Sequence, residues 1–231
     1  MKRFCVALLF LASVLFASAA GDRRFATGGR LAIGTETNRS ASVRLGDIDG
    51  DGDLDVVVAN GRHWPQQNFL FFNQGRSRLN LARPLGRDLA TSYAAELADL
   101  DNDGDLDIAV GNDMAPNVIF LNDSRGRFQR HTAFGEPTSI RSLTLADVDG
   151  DGDVDILANA RGRQNRIHLN DGAANFPSSL PFGNADDSTI DVAAADLNND
   201  GHPDLILANR DAQQNVVLLN DGKAHFEQRV P

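Results

Sequence analysis

A nine-residue acidic motif occurs four times in this 231-residue chain and limits its possible folds more than any other feature. The copies are DIDGDGDLD from Asp47, DLDNDGDLD from Asp99, DVDGDGDVD from Asp147 and DLNNDGHPD from Asp196. Their starts are about 50 residues apart, which is the mark of a repeat architecture. Any fold proposed for the chain must therefore place one acidic loop in each of four similar units.

Short aliphatic runs surround each acidic motif. In the first repeat, DVVVAN at 55–60 follows the motif, NFLFFN begins at Asn68, and a glycine turn leads to a last run that ends at Leu85-Gly86. Short runs of Val, Ile, Leu and Phe bounded by Gly, Asn and Asp are typical of β-strands, and four per repeat predict an antiparallel meander. The helical repeats of ankyrin, tetratricopeptide and HEAT proteins fit these short, β-branched runs poorly.

A four-stranded meander cannot bury both of its faces, so the repeats must stack on one another. Radial stacking of such sheets produces a β-propeller. We therefore predict an all-β fold, a β-propeller or an open arc of propeller blades, with four four-stranded antiparallel blades in residues 21–231. An open arc, a fragment of a longer array and a ring completed by another chain are all compatible with four repeats.

The first 20 residues predict a cleaved secretory signal peptide. Lys2 and Arg3 precede an apolar stretch that is too short to cross a bilayer of ~30 Å and that ends in small residues at 17–20. A retained membrane anchor is the alternative. We expect a signal peptide at 1–20, a repeat domain at 21–231, no later membrane span, and export to a secreted, periplasmic or cell-surface location.

Composition argues against several classes of function. Removal of Lys2 and Arg3 makes the formal charge two units more negative than the −10 of the whole chain, so nucleic-acid binding through phosphates is not expected. Cys5 is the single cysteine and lies in the leader, so the mature chain has neither a disulfide nor a thiol nucleophile. Neither GxSxG, HExxH nor a phosphate-binding loop is present. We expect a binding module rather than an enzyme.

The acidic motif predicts a loop that wraps a hard cation. Side-chain oxygens at positions 1, 3, 5 and 9 and the carbonyl at position 7 are the expected ligands, and the glycine at position 6 permits a sharp turn. Position 12 carries no acid and strands flank the loop, so it is not an EF-hand. Calcium suits this all-oxygen set better than magnesium, and zinc would require Cys or His ligands.

We therefore predict up to four calcium ions. The expected ligand residues are Asp47, Asp49, Asp51, Asp53, Asp55, Asp99, Asp101, Asp103, Asp105, Asp107, Asp147, Asp149, Asp151, Asp153, Asp155, Asp196, Asn198, Asp200, His202 and Asp204. The ninth-position aspartate is also expected to begin the next strand. The fourth loop, with Asn198 at position 3, has fewer carboxylates and is expected to lose calcium first.

The DxDGDGxxD loops, the aliphatic strands after them, the [FL]G pairs and AVGNDMAP at 109–116 resemble the FG-GAP or VCBS repeats of integrin α-chain-like β-propellers. The resemblance covers about residues 25 to 231. It implies calcium in the loops named above and a propeller usually closed with about seven blades. This chain departs from that number, since only four repeats are visible.

In an up-and-down blade, the second connections lie on the rim opposite the first and third connections. Here the second connections contain arginines and the single tryptophan, which could recognise carboxylates or sulfates of an extracellular glycan or protein. Solvated arginines, with the tryptophan packed between blades, are the plainer alternative. Other possibilities are a polysaccharide-lyase-like enzyme, a calcium-stiffened structural repeat, and self-association that completes a propeller. The candidate ligand-binding residues are Arg62, His63, Trp64, Arg161, Arg163 and Arg210.

Overall fold

The computed structural model describes residues 33–34, 36–76 and 78–229, with only the backbone described at 228–229. The signal peptide expected at 1–20 lies outside this part of the chain. Every regular element in the described part is a β-strand. A helix with the length and apolarity needed to cross a membrane is therefore not found there.

The strands form four antiparallel sheets of four strands each, in chain order within each sheet, which confirms the predicted blades. We number the blades 1 to 4 along the chain. Blade 1 contains β1 (Ser40–Gly46), β2 (Asp55–Asn60), β3 (Phe69–Phe72) and β4 (Leu81–Pro84); blade 2 contains β5 (Ser92–Ala98), β6 (Asp107–Asn112), β7 (Asn117–Leu121) and β8 (Gln129–Phe134); blade 3 contains β9 (Ile140–Ala146), β10 (Asp155–Ala160), β11 (Asn165–Leu169) and β12 (Ser178–Phe182); blade 4 contains β13 (Thr189–Ala195), β14 (Asp204–Asn209), β15 (Val216–Asn220) and β16 (Phe226–Arg229).

The second strand of each blade begins at the ninth residue of an acidic motif, as predicted. In blade 2 this strand, β6, is buried along its whole length. Ile108 faces blade 1, whereas its neighbour Ala109 faces blade 3. A strand buried on both faces requires apolar residues at successive positions, which explains why these segments do not alternate between polar and apolar residues.

Three apolar cores lie between consecutive blades. In the first, Val57, Leu70 and Phe72 of blade 1 pack against Ile108 and Phe120 of blade 2. The first strands also pack in sequence, β1 on β5, β5 on β9 and β9 on β13. A comparable contact between blades 1 and 4 is not found within the described ranges. The four blades therefore form an open arc.

Buried polar side chains join the blades at one end of the strands. The Asn68 amide donates to Ser92 Oγ over 2.9 Å, and that hydroxyl donates to Asn112 Oδ1 over 2.8 Å. The Asn165 amide makes the same bond to Thr189 Oγ1 over 3.0 Å between blades 3 and 4. A buried polar group without a partner would cost about 1–3 kcal/mol, so these pairs favour the contact of blade 1 with blade 2 and of blade 3 with blade 4.

The glycine of each [FL]G pair permits close packing on the next blade. Gly135 has φ +60°, and a Cβ built there would lie 2.6 Å from Cε1 of His168. Gly86 has φ +69° and faces Phe120 in the same way. Any larger residue would be strained in its backbone and would overlap the neighbouring ring.

Candidate metal loops and cationic cavity

The first three acidic loops each bring three carboxylates together. Within each group, one ligand atom per residue lies within 4.8 Å of the others. These residues stand at positions 1, 3 and 9 of the motif, three of the positions expected to supply side-chain ligands. The groups are Asp47, Asp49 and Asp55; Asp99, Asp101 and Asp107; and Asp147, Asp149 and Asp155.

The first aspartate of the motif folds the loop around itself. Asp47 Oδ1 accepts hydrogen bonds from the amides of Gly50 and Asp51 at 2.8 and 3.1 Å, and Oδ2 accepts one from Gly52 at 2.8 Å. Gly50 and Gly52 both have positive φ, at 76° and 90°. The alternation of Asp and Gly therefore provides the backbone conformation as well as the acidic groups.

The ninth aspartate is buried and connects three parts of its blade. In blade 2, Asp107 Oδ2 accepts a hydrogen bond from the Leu100 amide over 3.0 Å, and Oδ1 accepts one from the Asn122 amide over 2.9 Å. Burial raises the pKa of Asp107 and Asp155 to about 6, although these backbone hydrogen bonds act in the opposite direction. A bound cation would favour the ionised carboxylate, because opposite charge offsets the cost of desolvation.

The aspartate at position 3 of the motif has a buried carboxylate oxygen without a hydrogen-bond partner. Oδ1 is buried without a hydrogen bond in Asp49, Asp101 and Asp149, and Oδ1 of Asp99 is in the same state. Burial, followed by the charge of the acid at position 5, raises the pKa of each position-3 aspartate. Buried carboxylate oxygens that face like charges are costly alone and are satisfied by a metal ion. The residues therefore fit a hard divalent cation.

The seventh residue turns its side chain away from the loop centre. Asp105 Oδ2 accepts a short hydrogen bond from Ser124 Oγ, and Asp153 Oδ1 accepts one of 2.7 Å from Asn102 of blade 2. These carboxylates join the loop to the β7–β8 turn and to the neighbouring loop. The backbone carbonyl at this position therefore stays the predicted ligand.

The fourth loop has the same backbone hydrogen bonds to its ninth residue as the other loops, but it lacks the carboxylate at position 3. Asp204 Oδ2 accepts a hydrogen bond from the Leu197 amide over 2.9 Å, as the ninth aspartates of the other loops do from their second residues. Asn198 takes the third position, and its amide donates to Asp200 Oδ2 over 2.8 Å. The His202 amide and then the Asn198 side chain lower the pKa of Asp200. This loop therefore offers fewer carboxylates to a cation than the other three.

On the opposite rim, side chains from all four blades line a cavity of about 620 Å³. Four of the candidate residues inferred from the sequence lie there: Arg62, His63, Arg161 and Arg210. Trp64 and Arg163 do not line it. Trp64 is 62% exposed, with the Arg39 guanidinium carbon 5.9 Å from its ring centroid.

Among the aromatic and cationic residues of this cavity, sequence reasoning missed Tyr93 and Arg141. The Arg141 guanidinium carbon lies 4.1 Å from the Tyr93 ring centroid, and Tyr93 Oη lies 3.2 Å from His63 Nδ1. A signal was available, since Tyr93 and Arg141 occupy the second position of a first strand, as do Ala41 and Ile190. All four of these residues line the cavity, so alignment of the repeats by their first strands would have found them.

The cavity has more cationic groups than partners for them. Arg210 Nε pairs with Asp211 Oδ2 at 3.1 Å, and Arg141 Nη1 lies 3.6 Å from Asp113 Oδ2. Arg141 Nη1 is buried and makes no hydrogen bond in the described structure. The side chains of Arg62 and Arg161 form no ion pair with any described residue. An anion in the cavity would therefore meet arginine donors that are still free to bind it.

Comparison with known proteins identifies the repeats and the fold. A model of the FG-GAP-like repeat matches residues 99–158 and 156–207. The crystal structure of BBS1N in complex with ARL6DN, soaked with lead, is 16% identical with a TM-score of 0.52, covering 84% of this chain and 54% of that one. The crystal structure of the V. cholerae biofilm matrix protein Bap1 is 20% identical with a TM-score of 0.46, covering 74% of this chain and 29% of that one. Neither structure is spanned to two thirds of its length. No curated protein matches the chain.

Proposed function

We propose that this chain, which carries FG-GAP-like repeats, is an exported, calcium-stabilised arc of propeller blades that binds acidic extracellular glycans or proteins. The observation that supports this most strongly is the convergence of Arg62, Arg141, Arg161 and Arg210 on one cavity. The protein carries a formal charge of −10, so such a grouping is unusual against its own background. It creates a local positive field on an acidic molecule, which attracts anions to one rim.

Arginine in this arrangement suits carboxylates and sulfates. The guanidinium group offers a planar fork of N–H donors that can bind two oxygens of one anion. Arg62 and Arg161 come from the second connections of blades 1 and 3, so they can approach a ligand from different sides. Tyr93 supplies a ring beside them, and sugar-binding sites combine such apolar surfaces with a few well-placed polar groups.

Calcium is the cation proposed for the loops. The aspartate triads contain hard oxygen ligands, and each has a buried carboxylate oxygen without a hydrogen-bond partner. Extracellular calcium-binding modules typically work at dissociation constants of about 10⁻⁴–10⁻³ M, which suits partly exposed loops. Export is proposed from the signal peptide expected at 1–20. Calcium would hold the blades together, and the arginine rim would carry out recognition.

Binding to matched polysaccharides tests the proposal. The repeat domain, residues 21–231, is titrated in calcium with a polyuronate, a sulfated glycan and a neutral polymer of similar length, and calorimetry reports the heat of binding. We expect binding of at least one acidic polymer that weakens as salt is added, because salt screens the arginines. Equal binding of the neutral polymer would contradict the proposal, as would a complete absence of heat for every acidic ligand, an acidic protein included.

One contact favours a second candidate function, a lyase. His63 Nδ1 lies 3.2 Å from Tyr93 Oη, beside arginines that could neutralise a uronate carboxylate. Such a pair could remove the proton next to the carboxylate and protonate the leaving oxygen. Incubation with polyuronate, followed by the ultraviolet absorbance of unsaturated products, tests this function. Absorbance that grows with the native protein and not with the His63→Ala variant would establish it; flat traces leave a binding module.

A further inference from the structure

Blade 1 exposes two apolar side chains at positions that are buried or partly buried in the other blades. Val43 is 54% exposed and Leu45 is 62% exposed. The residues equivalent to Val43 in the other blades are Ala95, Leu143 and Val192, and all three are buried in the cores between blades. This face of blade 1 therefore has the composition of an internal interface, and no blade in the described part of the chain covers its first strand.

Blade 4 shows the complementary exposure on its opposite face. Ile206 is 38% exposed, whereas its equivalents Val57, Ala109 and Leu157 are buried. Leu197, the second residue of the fourth acidic motif, is 43% exposed. Its equivalents Ile48, Leu100 and Val148 are all buried. The outer face of blade 4 is thus the other half of the same kind of interface.

The polar groups of the two faces match as well. In two of the three inner interfaces, the amide of Asn68 or Asn165 donates to a hydroxyl on the first strand of the next blade. Asn215 is their equivalent in blade 4, and its Oδ1 accepts from the Asn209 amide over 2.9 Å, but its amide nitrogen has no partner among the described residues. Ser40 of blade 1 is the equivalent hydroxyl and donates to Asn60 Oδ1 over 2.7 Å. The Asn215 amide on blade 4 can therefore donate a hydrogen bond, and the Ser40 hydroxyl on blade 1 can accept one.

A second polar pair follows the same rule. The Asn122 amide reaches back to the carbonyl of Ile48 in the preceding blade over 2.9 Å, and Asn220 reaches that of Val148 over 2.8 Å. Asn73, the equivalent in blade 1, donates only to Leu54 of its own blade over 3.2 Å. By the same rule, the carbonyl that would accept a second hydrogen bond from the Asn73 amide is that of Leu197, the exposed residue on blade 4.

We propose that the outer face of blade 4 in one copy docks on the face of blade 1 in a second copy and repeats the internal blade-to-blade interface. A second copy is the occupant because the two halves match each other in apolar residues, in the asparagine–hydroxyl pair and in the asparagine–carbonyl pair. The contact is head to tail, and such interfaces give rings where the rotation closes. Two copies would form a ring of eight blades, within the known range of propellers.

Complementary variants test this contact. Val43→Asp blocks the blade 1 face and Ile206→Asp blocks the blade 4 face, and masses of the repeat domain are measured by light scattering after gel filtration in calcium. We expect the unsubstituted domain at twice the monomer mass and each variant alone at the monomer mass. An equimolar mixture of the two variants retains one intact face of each kind, so it should form a two-chain species that dissociates more readily than the unsubstituted dimer.

Met114→Asp serves as the control, because Met114 is 72% exposed and lies on neither end face. It should keep the mass of the unsubstituted domain, and circular dichroism should show that all variants fold. The proposal is overturned if the unsubstituted domain is a monomer at tens of micromolar. It is also overturned if either folded end-face variant keeps the dimer mass, or if the mixture of variants yields only monomers.

Discussion

The amide of Asn170 in blade 3 donates a hydrogen bond of 2.9 Å to the carbonyl of Leu100, the second residue of the acidic motif of blade 2. The Ala174 amide reaches the same carbonyl over 3.0 Å. An acidic loop is therefore held by its own blade and by the next one. Because the loop conformation sets the direction of this carbonyl, an ion in the loop of one blade would stabilise the contact with its neighbour.

Removal of calcium should therefore destabilise the whole arc. Ligand binding adds RT ln(1 + [L]/Kd) to folding stability, about 2.7 kcal/mol for one site at a hundredfold excess over Kd. We expect a chelator to lower the midpoint of thermal unfolding by more than 10 °C, because several sites act on linked interfaces. Calorimetry in calcium, in chelator and after calcium is restored checks this. Equal midpoints in calcium and chelator would show that the acidic loops are solvated turns.

The fourth loop should become stronger if its missing carboxylate is restored. Asn198→Asp places an acid at position 3, and we expect about a tenfold gain in calcium affinity at the weakest site, since affinity rises with the number of charged ligands. Titration calorimetry of the two proteins measures it. Asn199→Asp adds the same charge one residue later, at a position outside the predicted ligand set, and should leave the affinity almost unchanged. Similar gains in both variants would indicate a general charge effect.

His168 should make the protein less stable in mild acid. Burial between blades 2 and 3, with a smaller contribution from the charge of Arg166, lowers the pKa of His168 to about 4. An unfolded histidine takes up a proton below about pH 6.5, and the folded one does so only near pH 4. The unfolded state therefore binds more protons in this window, so the contribution of His168 is complete above pH 6.5 and is lost as the pH falls towards 4.

His168→Phe removes this dependence. Phe120 occupies the equivalent position in blade 2, beside Gly86, so the ring is compatible with the repeat. We expect the native protein to lose up to about 3 kcal/mol more than the variant between pH 6.5 and 4, as measured by denaturant unfolding in calcium. The aspartates titrate in both proteins, so the difference isolates the histidine. Parallel pH curves would mean that His168 reaches solvent and is protonated in the folded state.

Repetition explains which features could be predicted from the sequence. The acidic motif and the strand after it form one continuous segment, so the blade count and the strand beginning at Asp55 could be read from spacing alone. The resemblance to FG-GAP repeats rested on the same local pattern. The approach of Asp47, Asp49 and Asp55 could also be expected, because the alternation of Asp and Gly determines the loop conformation locally.

The cavity could be predicted only in part, for a physical reason. Tyr93 and Arg141 belong to the first strands of different blades and meet because neighbouring blades pack at a particular angle, which is a property of the assembled arc. The chemistry of Trp64 predicts a place in the binding site, but the turn containing it directs the side chain to solvent near Arg39. Arg163 lies two residues from Arg161 and still falls outside the cavity. Local sequence does not encode such differences in direction.

The most direct test of the proposed recognition site compares two arginines of one turn. Arg161 lines the cavity and Arg163 does not, so Arg161→Ala and Arg163→Ala remove the same charge from almost the same place. Titration of each variant with the acidic ligand bound by the native protein should show at least about a tenfold loss of affinity for Arg161→Ala, the equivalent of one charged hydrogen bond. Arg163→Ala should retain affinity within about twofold, the scale of a screened surface charge. Equal losses in the two variants, or none in either, would contradict a binding site in the cavity.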